Sequence, residues 1–286
     1  MLKNILGLSV SSPTSPLYFL TGQLPLIAQI HIEVFTLFHN VWSNKSSNIF
    51  HIVKYLLETS EEKSHTWSIH IRHLSKMYGM PDPLSLLESI PPPKERYKQH
   101  VKIIITSYHE REQRQNMSTY TSAKYFNTFL IGLSGKILPA IDNVFLSNDV
   151  KNMRAHLKFL AGDYLSNDKL ARQGGKSPIC SLCDSESETY SHIITRCHVL
   201  KEPREKMLKT LSEFCHLNEY LFFNEIMNNE EELTQFILDP TSMNLSYRIN
   251  INDKKLPQLM YICRNFCNSL HNTRMKKMKE VQLTNA

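Results

Sequence analysis

The sequence predicts a mainly α-helical fold composed of helical bundles. Glycine accounts for only 8 of the 286 residues, too few for a β protein rich in tight turns. Apolar residues make up 41% and charged residues 21% of the chain, the composition of a globular protein with a sizeable core. In most segments the apolar residues recur every three or four positions, which is the period of an amphipathic helix.

The first 90 residues are predicted to form an N-terminal helical bundle, domain 1–90. Its helices span residues 24–42, 46–57 and 64–78, and each presents apolar residues on one side. The Pro-Pro-Pro sequence at residues 91–93 is stiff and extended. We therefore place a domain boundary there.

Linking helices are predicted over residues 91–148, chiefly one long helix at 94–114. The β-branched run at residues 103–106 inside this helix also fits a buried strand. The length of the amphipathic segment favours a helix. A shorter helix is predicted at 123–133.

The third region, residues 149–286, is predicted to contain several helices around a segment rich in turn residues. Its first helix is capped by Asp149 and runs to Leu165. The later helices are predicted at 202–214, 219–227, 230–238 and 256–282.

The turn-rich segment contains four residues with the spacing of a zinc site. Two residues separate Cys180 from Cys183, His192 follows after eight more, and Cys197 after another four. Three thiolates and one imidazole close a tetrahedral site, with Zn–S near ~2.3 Å and Zn–N near ~2.0–2.1 Å. Because all four positions are filled, the sequence predicts one structural Zn²⁺ as the cofactor. The predicted fold thus adds a small CCHC zinc knuckle to the bundles.

Two alternatives remain open for this motif. Cysteines are often buried apolar side chains, and six of them can match a pattern by chance. His198, next to Cys197, is an alternative fourth ligand. Five residues of α-helix turn through about 500°, so His192 and Cys197 would not share a helix face. Cys197 is therefore predicted at or beyond a helix end.

The positive charge is concentrated at the end of the sequence. The net charge is +6, and residues 254–280 contain seven Lys or Arg against one Glu, which predicts a basic C-terminal helix. Lysine and arginine hold phosphates and aromatic rings stack on bases. The candidate nucleic-acid contacts are Arg154, Lys158, Lys176, Tyr190, Arg196, Lys276, Lys277 and Lys279. The basic helix also fits an ordinary solvated face, and Tyr190 also fits a ring packed under the metal loop.

Other patterns do not support a second chemistry. The Gly-Gly-Lys-Ser sequence at 174–177 lacks the first glycine of a phosphate-binding loop and is followed by Pro178. Cys263 and Cys267 lie one helical turn apart between apolar neighbours, so they are predicted to be core residues. We expect an intracellular protein with reduced thiols and no membrane partner, since no signal peptide or apolar span is evident.

Several segments carry a family resemblance: residues 153–164 (MRAHLKFLAGDY), 174–183 (GGKSPICSLC), 191–197 (SHIITRC) and 235–240 (QFILDP). They look like the C-terminal part of reverse transcriptases from non-LTR (LINE-type) retrotransposons. Upstream, residues 52–57 (IVKYLL) and 71–78 (IRHLSKMY) resemble the helical region that follows the polymerase palm in those polyproteins.

The resemblance implies a CCHC zinc knuckle that binds nucleic acid, with RNA or single-stranded DNA as the partner and a polymerase domain as a second partner in the parent polyprotein. The sequence contains no Tyr-x-Asp-Asp motif and no endonuclease constellation, so we expect no catalytic residues and no enzyme activity. The leading hypothesis is a nucleic-acid-binding fragment of such a polyprotein. The alternative is a zinc-stabilised helical module that binds proteins and no nucleic acid.

Overall fold

The computed structural model describes residues 2–61, 64–126, 132–133, 135, 137–138, 140–142, 147–175, 177–217, 222–243 and 254–284. Over these residues the fold is mainly helical, and the β-structure is limited to an isolated bridge between Ile179 and Ser187. The predicted mainly α fold is confirmed. The chain divides into two compact units.

The α-helices are numbered in chain order: α1 Leu2–Ile5, α2 Ser15–Thr21, α3 Leu26–Ser43, α4 Asn48–Thr59, α5 Trp67–Tyr78, α6 Pro83–Glu88, α7 Lys94–Ser118, α8 Ser147–Leu160, α9 Asn167–Arg172, α10 Lys201–Leu217, α11 Phe223–Ile226, α12 Glu230–Leu238 and α13 Leu256–Thr284.

The first unit, here called the bundle unit, comprises Gln23–Gln115 and Leu133–Gly135. The side chains of Ser47 and Thr66 accept hydrogen bonds from backbone N–H groups in the first turns of α4 and α5, which fixes where these helices begin. Gly79, with φ 66°, ends α5 in the left-handed region. Apolar side chains of α3 to α7 form one core: Ala28, Ile32, Phe35, Phe38, Trp42, Phe50, Val53, Leu57, Ile71, Leu74, Tyr78, Met80, Leu87, Tyr97, Val101 and Ile105.

The proline-rich segment does not separate two domains, in contrast to the predicted boundary at residue 91. The backbone carbonyl of Ser89 accepts hydrogen bonds from Trp42 Nε1 at 3.2 Å and Lys45 Nζ at 2.8 Å. The carbonyl of Pro92 accepts one from His39 Nε2 at 2.7 Å. These bonds fasten the segment to α3 and its C-terminal flank, so α7 packs in the same core. The residues at 103–106 are helical, as the length of the amphipathic segment at 94–114 predicted.

The second unit, here called the metal-site unit, comprises Met1–Gly22, Asn116–Gly132 and Lys136–Ala286. Its core is formed where α13 packs against α8 and α10. The first 22 residues belong to this unit and not to the predicted 1–90 domain. Several of their apolar side chains are buried, and the ring of Phe19 contacts that of Phe126. Hydrogen bonds add to this packing: Ser9 N donates to the carboxylate of Asp163 at 2.8 Å, and Leu138 N donates to the carbonyl of Leu20 at 3.0 Å.

Helix α8 begins and ends earlier than the sequence predicted. Asp149 lies within the first turn of α8 and is not its cap, and the helix stops at Leu160 instead of Leu165. Gly162 has φ 70°, and a Cβ there would lie 2.6 Å from Ser122 Oγ, so only glycine fits this turn. The predicted helix at 219–227 is reduced to α11, and its residues 219–221 lie outside the described part of the chain. Within the predicted helix at 123–133, the only residue described as helical is Ala123, which ends a 3₁₀ turn at Thr121–Ala123. Residues 127–131 are not described.

A chain of polar side chains crosses the core of the bundle unit. His109 Nδ1 lies 3.1 Å from Glu112 Oε2, so this nitrogen carries the proton and His109 Nε2 accepts from the hydroxyl of Tyr78 at 3.0 Å. The Tyr78 oxygen in turn accepts from His31 Nδ1 at 2.7 Å. Burial, followed by the nearby charges of His70 and His109, lowers the pKa of His31. The neutral form of His31 therefore fits this core best.

Replacing Tyr78 by Phe is expected to destabilise the bundle unit by roughly 1–3 kcal/mol, because it leaves buried nitrogens of His31 and His109 without a partner. Both tryptophans, Trp42 and Trp67, lie in the bundle unit, so urea unfolding followed by tryptophan fluorescence measures this unit alone. Tyr55→Phe is the matched control, since its ring is 62% exposed. Equal losses in the two variants would contradict the role of the polar chain.

The bundle unit is also expected to lose stability as the pH falls from 7 to 5. The folded pKa of His31 is lower than the unfolded value of about 6.5, so the unfolded chain takes up the proton first. The stabilisation is complete above the unfolded pKa and is lost as the pH falls through the folded pKa. The fluorescence midpoint of His31→Gln should change less over this range than that of the wild type; an identical pH profile would show that His31 does not contribute.

Candidate metal centre

The segment 178–188 folds back on itself and presents the first two cysteines from a tight turn. Cys180 N donates to the carbonyl of Glu186, and Glu188 N donates to that of Pro178, both at 2.8 Å. Asp184 N donates to the carbonyl of Cys180 at 2.9 Å, with Asp184 in the left-handed region at φ 53°. Aspartate tolerates this conformation better than most residues. The turn places Cys180 and Cys183 beside each other.

The other two residues of the motif are separated by one turn of π-helix, His192–Arg196. Cys197 N donates to the carbonyl of His192 at 2.8 Å, which is the five-residue bond of this helix type. A π turn rotates less per residue than an α turn, so positions five apart come closer to one face. Cys197 follows the last helical residue, as predicted, and buried Ile193 and Ile194 anchor the turn in the core.

The four side chains converge on one point. One ligand atom from each of Cys180, Cys183, His192 and Cys197 lies within 4.8 Å of all the others. The sulfurs of Cys180 and Cys197 are 4.0 Å apart, and His192 Nε2 is 3.4 Å from the sulfur of Cys183. Tetrahedral zinc with these ligands needs edges of about 3.6–3.8 Å. The group can therefore hold a metal ion with little movement, and exposed His198 is not part of it.

The thiols and the imidazole change one another's affinity for protons. The hydrogen bond between the sulfurs of Cys180 and Cys197, followed by burial, raises the pKa of Cys180 to about 12, and the same bond lowers the pKa of Cys197. Burial disfavours the charged form of His192, but the neighbouring thiols and Glu186 outweigh it and raise the pKa of His192. A metal must displace these protons, so its binding weakens at low pH.

Charged side chains surround the group. His192 Nδ1 lies 3.2 Å from Glu186 Oε1, although the angles are too poor for a hydrogen bond. The other oxygen of Glu186 pairs with Arg196 Nη2 at 3.0 Å. Buried Arg204 donates to the carbonyl of Cys197 at 2.7 Å. A carboxylate beside the second nitrogen of a ligating histidine favours the tautomer in which Nε2 binds the metal.

Glu188 and Arg274 form a buried ion pair that sequence inspection did not find. Arg274 Nε and Nη2 each donate to one carboxylate oxygen of Glu188 at 2.9 Å, and Glu188 Oε1 lies 3.8 Å from the sulfur of Cys180. The two side chains are 0% and 4% exposed. The sequence did contain a signal, because Arg274 continues the spacing of Cys263, Cys267 and Leu270 on the inner face of α13.

The predicted nucleic-acid contacts occupy different environments. Lys276 and Lys279 are exposed on α13, and no carboxylate lies within ion-pair distance of either among the described residues, whereas Lys277 pairs with Glu280 at 3.1 Å. On α8, Lys158 is half-buried and exposed Arg154 donates to the carbonyl of Ile5.

Among the described residues, the charge of Arg196 is paired, unlike those of Lys276 and Lys279. Arg196 is held by the carboxylates of Glu186 and Glu230, at 3.0 and 3.1 Å, so part of its charge is neutralised within the chain. Lys176 lies outside the described residues.

The ring of Tyr190 is not placed for stacking on a base. It is 8% exposed, contacts the rings of Phe159 and Tyr164 edge-on, and donates its hydroxyl proton to the carbonyl of Tyr164 at 3.0 Å. An aromatic ring must expose a face to stack on a nucleic-acid base. The structure favours the alternative in which Tyr190 packs beneath the metal loop.

The remaining cysteines are part of the core. Cys215, Cys263 and Cys267 are 0–1% exposed on α10 and α13, and none belongs to the converging group. Burial raises the pKa of all three thiols. Cys263 and Cys267 thus occupy the core positions that their apolar neighbours predicted.

Comparison with protein-family models, with curated proteins and with solved structures finds no match for this chain. Among the helices that the structure describes, none combines the length and apolar character that a membrane crossing requires.

Purified protein is expected to contain about one zinc per chain, since the four ligand atoms already lie near tetrahedral distances. Cys183→Ser removes a ligand and should reduce the zinc content to near zero, with loss of structure around residues 178–197. Cys267→Ala, in the core, is the control and should retain the metal. Inductively coupled plasma mass spectrometry measures the content; wild-type protein without zinc, or metal loss from the control alone, would contradict the assignment.

Proposed function

We propose that this chain is a zinc-stabilised module that binds single-stranded nucleic acid. The converging group of three thiols and one imidazole supports the zinc part of the proposal. Sulfur-rich sets with four protein ligands suit zinc, and they leave no coordination position for a substrate. The four residues would hold the ion, and the ion would supply the folding energy that links the loop 178–188 to the π turn.

The cations on two packed helices support the nucleic-acid part. Helices α8 and α13 pack against each other and carry Lys158, Lys276 and Lys279. Burial, followed by the nearby charges of Lys158 and Arg274, lowers the pKa of His271 on α13. The ammonium group of Lys158 on α8 therefore lies close to α13. Cations that are not paired within the chain are available to phosphates. This surface, formed by α13 and the adjoining part of α8, is here called the basic face.

We also propose that the module derives from the C-terminal region of a LINE-type retrotransposon reverse transcriptase. The support is the sequence resemblance of the four segments between residues 153 and 240. We assign no polymerase or endonuclease activity to the chain. A polymerase needs paired carboxylates that hold two metal ions, and the sequence contains no recognisable pair.

A second candidate function is protein binding by the bundle unit. Helices α3 and α4 expose large apolar side chains, between 48% and 70% of each: Leu26, Ile27, Ile30, Leu37, Ile49, Ile52 and Tyr55. Exposed apolar residues in such numbers are typical of a surface that another protein covers. In this case zinc would only stabilise the metal-site unit.

Salt titration of binding separates the two candidates. Zinc-loaded protein should bind a single-stranded RNA or DNA oligonucleotide with an affinity that falls with salt, and Lys276→Gln/Lys279→Gln should reduce the log–log slope by about 1.4, or ~0.7 per lost phosphate contact. Lys206→Gln/Lys209→Gln removes the same charge from exposed positions of α10 and should leave the slope unchanged. Fluorescence anisotropy measures the affinity.

Both double variants should retain their zinc. If the zinc-loaded wild type shows no salt-dependent binding at low ionic strength, the nucleic-acid proposal is wrong. Protein binding by the exposed faces of α3 and α4 then becomes the leading candidate.

A further inference from the structure

We propose that the Glu188–Arg274 ion pair couples the metal loop to the last turns of α13, so that metal binding positions Lys276 and Lys279. Glu188 and Arg274 are positioning residues and do not bind the metal. The coupling follows from the structure of the chain itself. Its consequence, control of nucleic-acid binding by the metal, rests on the proposed function.

Glu188 is tied to the metal site from several directions. Its backbone N–H donates to Pro178, and its side chain accepts from the backbone N–H of Asn167 at 2.7 Å. Its carboxylate also lies 3.8 Å from the sulfur of Cys180. A shift of the loop 178–188 therefore moves the carboxylate away from its partner on α13.

The loop has little else to hold it in place. Residues 184–188 are Asp, Ser, Glu, Ser and Glu, without one apolar side chain. Its fold depends on a few backbone hydrogen bonds, on two bonds from the Asn167 side chain, on the ion pairs of Glu186 and Glu188, and on the convergence of the four ligand side chains. A polar loop of this kind is stabilised mainly by the metal that its residues bind.

Arg274 in turn depends on Glu188. Arg274 is 4% exposed, its guanidinium lies 5.4 Å from the ring centre of Tyr164, and it donates two hydrogen bonds to Glu188. A buried cation that loses its counter-ion is strongly unfavourable, so Arg274 should move to water when the loop opens.

The position of Arg274 determines which residues would follow it. Of the side chains described on α13, none beyond Arg274 is buried. Arg274 is thus the last buried side chain described on this helix, and Lys276 and Lys279 lie within the next turn and a half. Release of Arg274 would free the cationic end of α13 while Leu259, Phe266 and Leu270 keep the first part in place.

Hydrogen exchange with and without zinc tests the coupling in the full chain. Chelation should speed exchange of the amides at residues 273–280 at least about tenfold, and leave those at 258–268 nearly unchanged. Unchanged exchange at 273–280 would overturn the proposal. Equal acceleration in both halves of α13 would also overturn it, because that result indicates unfolding of the whole unit.

The double variant Glu188→Gln/Arg274→Met tests whether the ion pair is the link. Glutamine can still accept from Asn167, and methionine fills the space beside Tyr164 without a charge. Chelation should still open the loop, but exchange at 273–280 should respond less than about twofold. Lys209→Gln/Glu213→Gln removes an exposed pair on α10 and should respond like the wild type. If chelation speeds exchange at 273–280 in this variant as much as in the wild type, the ion pair is not the link. If the variant does not fold, wild-type exchange with and without zinc decides whether the loop and the helix end are coupled.

Oligonucleotide affinity distinguishes the coupling from the proposed function. If chelation releases residues 273–280 and the zinc-loaded chain binds no oligonucleotide, the coupling is supported and the proposed function fails. If the zinc-loaded chain binds nucleic acid and residues 273–280 stay protected on chelation, the coupling is overturned and the proposed function stands.

Discussion

Convergence of three sulfur atoms and one imidazole nitrogen is the constraint on which the metal-site unit depends. The segment between the ligands is short, polar in its first half and irregular, so it lacks the apolar surface that normally holds backbone in place. Three local features bring these atoms together: the turn at Cys180, the bridge between Ile179 and Ser187, and the π turn that begins at His192. The surrounding helices then pack against a segment that cannot form a core of its own.

The two units solve the problem of buried polar groups in different ways. In the bundle unit, the hydroxyl of Tyr78 bonds to two histidines at once, and this chain of groups ends at half-exposed Glu112. In the metal-site unit, full charges are buried and balanced by charges of opposite sign, as in Glu188 and Arg274. Removing one partner costs roughly 1–3 kcal/mol in a neutral network and more for a buried charge.

Local signals in the sequence predicted much of the fold and the metal ligands. Helical periodicity identified α3, α4, α5, α7 and α13, and α12 has the bounds predicted for it. The spacing of Cys180, Cys183, His192 and Cys197 selected the side chains that converge. These features are local, since each depends on residues that are near one another in sequence.

The errors concern contacts between residues that are distant in sequence. The boundary at residue 91 was wrong because Trp42 and His39 bind the carbonyls of the proline-rich segment. Tyr190 was considered as a stacking residue because nothing near it in sequence reveals Phe159 or Tyr164. Arg274 was counted with the solvated cations because its partner is 86 residues away. The charge of a side chain is visible in a sequence, but its counter-ion is not.

The π turn also constrains how this chain can vary in length. Deleting one residue between His192 and Cys197 would leave the two ligands four positions apart, about 400° in an α-helical turn, so the cysteine would stay on nearly the same helix face. Inserting a residue would leave them six positions apart, about 600° of α-helical rotation, and would carry the cysteine off that face, while buried Ile193 and Ile194 keep the turn from shifting to compensate. The interval should therefore tolerate a deletion better than an insertion, and its exposed Arg196 should tolerate exchange better than buried Ile193 and Ile194. By contrast, the exposed part of the loop after Cys183 can accept an added residue at its tip while the ligands on either side remain in place.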